Sequence, residues 1–105
     1  MTKLENYITG NWITGDGEGQ LLYNAVTGAP VAAASTKGLD FKSIIEYGRT
    51  TGNPALRKMT FHQRGNMLKA LALHLRNHLE KFYTISYQTG ATKADSWVDI
   101  EGGIG

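Results

Sequence analysis

The residues best placed to do chemistry gather in the stretch ADSWVDIEGGIG, which holds Asp95, Asp99 and Glu101 and then three glycines. Asp95 and Asp99 stand four apart and would share a helix face, the beginning of an oxygen-ligand set for a hard cation. A cation site needs more ligands, and neither a nearby histidine nor an EF-hand spacing supplies them, so the three acids read as solvated groups or partners for basic side chains. A glycine-rich turn that opens a helix can cradle a pyrophosphate on its backbone N–H groups. That fingerprint follows a strand, whereas a helical pattern precedes Gly102, and the glycines read instead as a helix-end or close-packing feature. The run GDGEG at Gly15–Gly19 lacks the ligand spacing of a calcium loop and reads as a flexible turn.

Three histidines, His62, His74 and His78, carry the side chains whose charge changes near neutrality, so any general base must be sought among them. His62 sits in the first turn of a long helical pattern, and His74 and His78 share one flank of it. None has a carboxylate or hydroxyl partner in sequence, and all three read as surface or packing groups. His62, Lys69 and Arg76 recur every seven residues as a basic edge, but no aromatic stacking residues interleave with it, and a solvated face explains it without nucleic acid. Trp12 and Trp97, with Phe82, Tyr83 and Tyr87, could frame a ligand pocket; core packing is the plainer account. No catalytic, cofactor-binding or metal-ligating residue is assigned.

Composition narrows the field further. The chain contains no cysteine, which removes disulfides, thiolate metal sites and thiol nucleophiles together. Eleven Lys and Arg against nine Asp and Glu leave a formal charge of +2, scattered without a basic run, and this balance names no partner. No apolar stretch approaches the roughly 18 residues of a membrane helix, and MTKLENYITG has no signal-like apolar region; the expectation is a cytoplasmic protein with no membrane partner. At 105 residues the chain supports one domain at most and a thin core.

Residues 5 to 35 are rich in glycine and β-formers. NYITGNWIT predicts a hairpin turning at Thr9, Gly10 and Asn11, and LLYNAVTGAPVAAAS predicts two more strands about a turn at Thr27, Gly28, Ala29 and Pro30. From Asp40, a capping residue, the period becomes helical: Phe41, Ile44, Ile45 and Gly48 share a face. Gly52, Asn53 and Pro54 are expected to end that helix and open a loop reaching Met59. Thr60-Phe-His-Gln63 is a capping box, and a helix follows with Phe61, Leu68, Leu71, Ala72, Leu75, Leu79, Phe82 and Tyr83 in one stripe. It is expected to run to Gln88 or Thr89 with a break near Asn77 and His78, and Gly90 fits a left-handed cap. Thr92 with Asp95 then offers a second cap and starts another helix, whose apolar positions are Ala94, Trp97, Val98 and Ile100. The fold class expected is α+β, with short antiparallel strands and hairpins over residues 1–38 and three to four packed helices over 39–105.

The order of these pieces resembles the amino-terminal part of the aldehyde dehydrogenase superfamily. Tyr7-Ile-Thr-Gly-Asn-Trp12 is similar to that family's Tyr-Ile-x-Gly-x-Trp hairpin, and Asn24-Ala-Val-Thr-Gly-Ala29 to its Asn-Pro-x-Thr-Gly-Glu turn, with Ala replacing both Pro and Glu. A helix starting at an aspartate follows, then one carrying Arg64 with Met67 and Leu68 behind it. Gln88-Thr-Gly-Ala91 looks like the family's Glu-x-Gly-Lys, here without its Glu and Lys. ALRKMTFHQRGNMLKAL and QTGATKADSWVDIEGGIG resemble most closely a branch of that family in which the dehydrogenase is fused to an enoyl-CoA hydratase and acts in phenylacetate degradation.

The resemblance implies an enzyme that opens oxepin-CoA hydrolytically and oxidises the resulting semialdehyde with NADP or NAD, takes a CoA thioester or aldehyde as small-molecule substrate, and forms a homo-oligomer. It implies too that residues 1–105 are no complete domain but the outer part of a Rossmann-like dinucleotide-binding domain. The family's nucleophilic cysteine, its glutamate base and its oxyanion-stabilising asparagine have no counterpart in these residues, so the segment itself is expected to be inactive; because the sheet that would cover its stripe from Phe61 to Tyr83 is absent, it is also expected to self-associate or to pack its helices differently from the intact enzyme. A free-standing helical interaction or dimerisation module is the alternative.

Overall fold

The computed structural model describes residues 1–105, which divide into two compact units. The first comprises Met1–Tyr23 and Ala29–Lys58, the second Asn24–Gly28 and Met59–Gly105.

In the first unit, strands β1 (Thr2–Lys3), β4 (Gln20–Tyr23) and β5 (Pro30–Ala34) form a sheet in the order β1-β5-β4. β5 is central, pairing antiparallel with β4 (Leu21 opposite Ala33) and parallel with β1 (Thr2 opposite Ala32). The parallel pairing departs from the all-antiparallel expectation: a two-residue strand carries no pattern that sequence could read, and the Leu4 N–H donating to the Ala33 carbonyl at 2.8 Å extends it. The only buried apolar side chains of the chain are Ala32 and Ala33, small residues on the strand flanked on both sides. Pro30 belongs to β5 rather than to the turn. It stands opposite Tyr23 at a register shift, where its missing N–H breaks no regular ladder.

β2 (Glu5–Ile8) and β3 (Asn11–Thr14) make the expected hairpin, with Tyr7 opposite Trp12 and Ile8 opposite Asn11. Its two-residue turn puts both Thr9 (φ 49°) and Gly10 (φ 82°) in the left-handed region, as a turn matched to strand twist requires. The Tyr7 and Trp12 rings meet at 5.0 Å between centroids. GDGEG is not free: the Asp16 N–H donates to the Lys37 carbonyl, Ser35 Oγ donates to the Asp16 carbonyl and Lys3 Nζ to that of Gly17. This network corrects the expectation of a flexible turn.

Helix α1 (Phe41–Tyr47) starts at Asp40, whose carboxylate accepts from the Ser43 N–H at 3.2 Å and the Ser43 hydroxyl at 2.6 Å. These bonds, the side-chain one first, hold the Asp40 carboxyl below its ordinary value of 3.8. The expected stop at Gly52-Asn53-Pro54 does not occur. The chain passes through a widened π turn, Gly48–Gly52, closed by the Asn53 N–H on the Gly48 carbonyl, and continues as α2 (Asn53–Arg57). Proline lacks an N–H and clashes with the carbonyl four residues back; in a turn one residue wider, and in the first turn of α2, neither conflict arises.

The second unit holds α3 (Phe61–Arg76), α4 (Leu79–Gln88) and α5 (Lys93–Trp97), with a second π turn at Val98–Gly102. The capping box is present in both directions: Gln63 N–H to Thr60 Oγ1 at 3.1 Å and Thr60 N–H to Gln63 Oε1 at 2.9 Å. The break expected at Asn77 and His78 separates α3 from α4. Gly90, at φ 88°, ends α4, and Thr92 Oγ1 caps α5 by accepting from the Asp95 N–H. The Ala25 N–H donates to the Gln88 carbonyl at 2.8 Å, tying Asn24–Gly28 to the end of α4.

Candidate functional site

The second unit contains an open apolar groove of about 460 Å³ walled by Leu75, Phe82, Ile85, Ile100 and Ile104, with Ser86, Thr89, Asp99 and Gly103 around it. Two side-chain hydrogen bonds join the elements around it, one from α4 to α5 and one from α4 to the second π turn. Ser86 Oγ and Ser96 Oγ lie 2.8 Å apart, and both serines are buried, Ser96 completely. A hydroxyl moved out of water must find a partner, and here one serine donates and the other accepts in a shared bond. Tyr83 Oη donates to Glu101 Oε2 at 2.6 Å. Glu101 lies in the second π turn, and one extra residue in a turn rotates the downstream residues by about 100° relative to a regular helix, so the wide turn sets which way this carboxylate faces.

These bonds are structural in character. Donation to Glu101, then burial, then that carboxylate's charge push the Tyr83 hydroxyl up to about 12, which holds it neutral and disfavours it as a base or nucleophile. Ser86 is bonded to another serine and not to a base, so it lacks the activation a nucleophile requires. The groove can therefore receive apolar side chains, with Thr89 and Asp99 to orient them, but assembles no reacting centre of its own.

The residues singled out in sequence disperse. Asp95 contributes its backbone to the α5 cap, Asp99 borders the groove and Glu101 holds Tyr83. Gly102 and Gly103 end a π turn with no strand before them. Phe82 lines the groove and the Tyr83 ring meets that of Tyr87 at 6.0 Å, tilted by 54°, whereas Trp97, for which core packing was expected, is exposed at 56%, and Val98 beside it at 63%. α5 turns Ser96 inward instead. A five-residue helix can bury only one narrow face, and the serine pair claims it. Sequence reasoning passed over Ser86 and Ser96, because a serine in a helix is indistinguishable from a solvated one until its partner is known.

The stripe along α3 and α4 divides. Ala72, Leu75, Leu79, Phe82 and Tyr83 are half-buried, while Phe61, Leu68 and Leu71 are exposed, Phe61 at 86%. Arg64 lays its guanidinium over the Phe61 ring, 4.7 Å from its centroid, and its Nε is buried without a hydrogen-bond partner. The total accessible surface is 8156 Å². A monomer of this mass exposes about 5,800 Å², and two separate bodies of half the mass about 7,000 Å² together, so even the looser reference leaves apolar surface uncovered. No helix is long and apolar enough to cross a membrane.

No family model matches the chain. Over 103 residues, 97% of this chain, it is 38% identical to a 3,4-dehydroadipyl-CoA semialdehyde dehydrogenase of Aromatoleum evansii, of whose length it spans 20%. The chain is thus similar, over nearly all its residues, to about a fifth of the length of a semialdehyde dehydrogenase.

Proposed function

We propose that these residues form the amino-terminal packing part of an aldehyde dehydrogenase that oxidises a CoA-linked semialdehyde, in the branch where a fused enoyl-CoA hydratase opens oxepin-CoA during phenylacetate degradation, with NADP as oxidant and a homo-oligomer as the working form. The identity across 97% of the chain carries the reading. The chemistry of the chain accords with it: without cysteine no thiohemiacetal can form on these residues, so in this reading the nucleophile, the dinucleotide contacts and the hydratase residues lie on other parts of the polypeptide. What this segment supplies is apolar surface. The exposed Phe61, Leu68 and Leu71 of α3 and the groove at Ile85 and Ile100 are faces that, in this reading, the outer wall of a Rossmann-like domain turns toward its sheet.

Two measurements test the proposal. Residues 1–105 incubated with NADP and an aldehyde should give no turnover, and turnover would refute the assignment of the nucleophile elsewhere. The reading frame that encodes these residues should also encode a cysteine-bearing dehydrogenase segment; a frame lacking one would leave the dimerisation module, which the exposed stripe of α3 also suits.

A further inference from the structure

We infer that the surface closing on α3 in the intact polypeptide carries a carboxylate that pairs with Arg64. This rests on the reading proposed above, in which Phe61, Leu68 and Leu71 meet a covering element, and adds the chemistry of that element. At about 100° per residue, Phe61, Arg64, Leu68, Leu71 and Leu75 fall within an arc of about 80°, so whatever covers the four apolar side chains also covers the cation. Arg64 is half-buried, its guanidinium lies 4.7 Å from the Phe61 ring centroid, and no ion pair engages it. Its Nε has neither solvent contact nor a hydrogen-bond partner, so the stem is held down and the charged head is not free to swing clear.

A guanidinium does not shed its proton in a protein, so burial leaves it charged and in need of a countercharge. Its own helix offers none. α3 carries three cations, Arg64, Lys69 and Arg76, and no Asp or Glu, and none of the three is ion-paired. In the same unit Glu101 accepts from the Tyr83 hydroxyl, and no other acid pairs with Arg64. The apolar residues alone would suit a second α3, but two such helices in contact would set three cations against three with no acid between them. Backbone carbonyls would accept the guanidinium N–H groups yet leave the charge uncompensated. A carboxylate supplies both, accepting two parallel bonds from the terminal nitrogens.

The test uses the polypeptide encoded by the complete reading frame and begins with Arg64→Lys, which keeps the charge and supplies an amine that a carbodiimide condenses with a carboxylate in direct contact. Mass spectrometry of the digest should show a link from position 64 to an Asp or Glu outside residues 1–105, and replacing that acid by its amide should lower the yield of the link at least tenfold. Arg64→Glu should depress the melting temperature by roughly 3 °C or more, and changing the linked acid to Arg in the same chain should recover at least half of the loss. No link at position 64, a link only to an acid within residues 1–105, or no recovery in the reversed pair would overturn the pairing and leave the dehydrogenase reading intact. A frame without a dehydrogenase segment would remove both.

Discussion

Ser96→Ala isolates the contact that seats α5 on α4. In the native chain the Ser86 and Ser96 hydroxyls share one hydrogen bond at 2.8 Å, with Ser86 8% and Ser96 0% exposed. Removing one hydroxyl strands the other in a buried position, at a cost of about 1–3 kcal/mol, whereas removing both leaves two compatible methyl groups and costs much less than twice that. The expected coupling in the double-mutant cycle is therefore at least about 1 kcal/mol, within the range for residues in direct contact. On a small domain about 1.5 kcal/mol corresponds to a fall of roughly 6–12 °C in melting temperature for each single variant. Thermal and urea unfolding followed by helical dichroism would measure all four corners of the cycle. Additive losses, with coupling under about 0.3 kcal/mol, would show that the two hydroxyls do not depend on each other and that the α4–α5 contact rests on the apolar groove alone.

Thr60→Ala should destabilise α3 by about 1 kcal/mol, since one substitution opens the capping box, and amide exchange at Gln63 and Arg64 should accelerate while Thr60→Asp largely restores protection. Gly65→Ala, in mid-α3 where an added Cβ meets nothing within 4 Å, should stabilise the helix by about 0.5–1 kcal/mol in urea unfolding; a loss would reveal a close neighbour at that face. Tyr83 ionisation favours the unfolded chain, because the folded value is raised from 10.0 to about 12; its contribution is whole below pH 10 and disappears as pH climbs toward 12, and Tyr83→Phe should abolish the late step in the 295 nm absorbance titration. Asp40 acts in the opposite sense. Its depressed carboxyl stabilises the α1 cap above the unfolded value near 3.8 and loses that effect as pH falls through the folded one, so Asp40→Asn should flatten acid fraying of α1 measured by amide exchange.

Local grammar was legible in the sequence wherever it depends on neighbours in the chain. The Thr9-Gly10 turn, the Asp40 and Thr92 caps, the Thr60–Gln63 box, the break at Asn77 and the left-handed Gly90 are each decided within about four residues, by φ preferences and side-chain reach, and each stands where the spacing put it. Proline misled at Pro54, because the π turn that accommodates it has no composition of its own. Long-range choices were hidden. Nothing in Thr2-Lys3 announces a parallel partner thirty residues on, and nothing in Ser86 or Ser96 shows that they meet.

The absence of cysteine, the helix caps and the apolar stripe were fixed by residue identity and period, and they already barred a thiol-based reaction on these residues. Tertiary structure alone decided that only the later half of that stripe is covered, that Glu101 faces Tyr83, and that the rings of His74, His78 and Phe82 stand in succession. Capping and periodicity act along the chain, where sequence is explicit; burial and partnership depend on which surfaces happen to close on one another, and that is a property of the folded body.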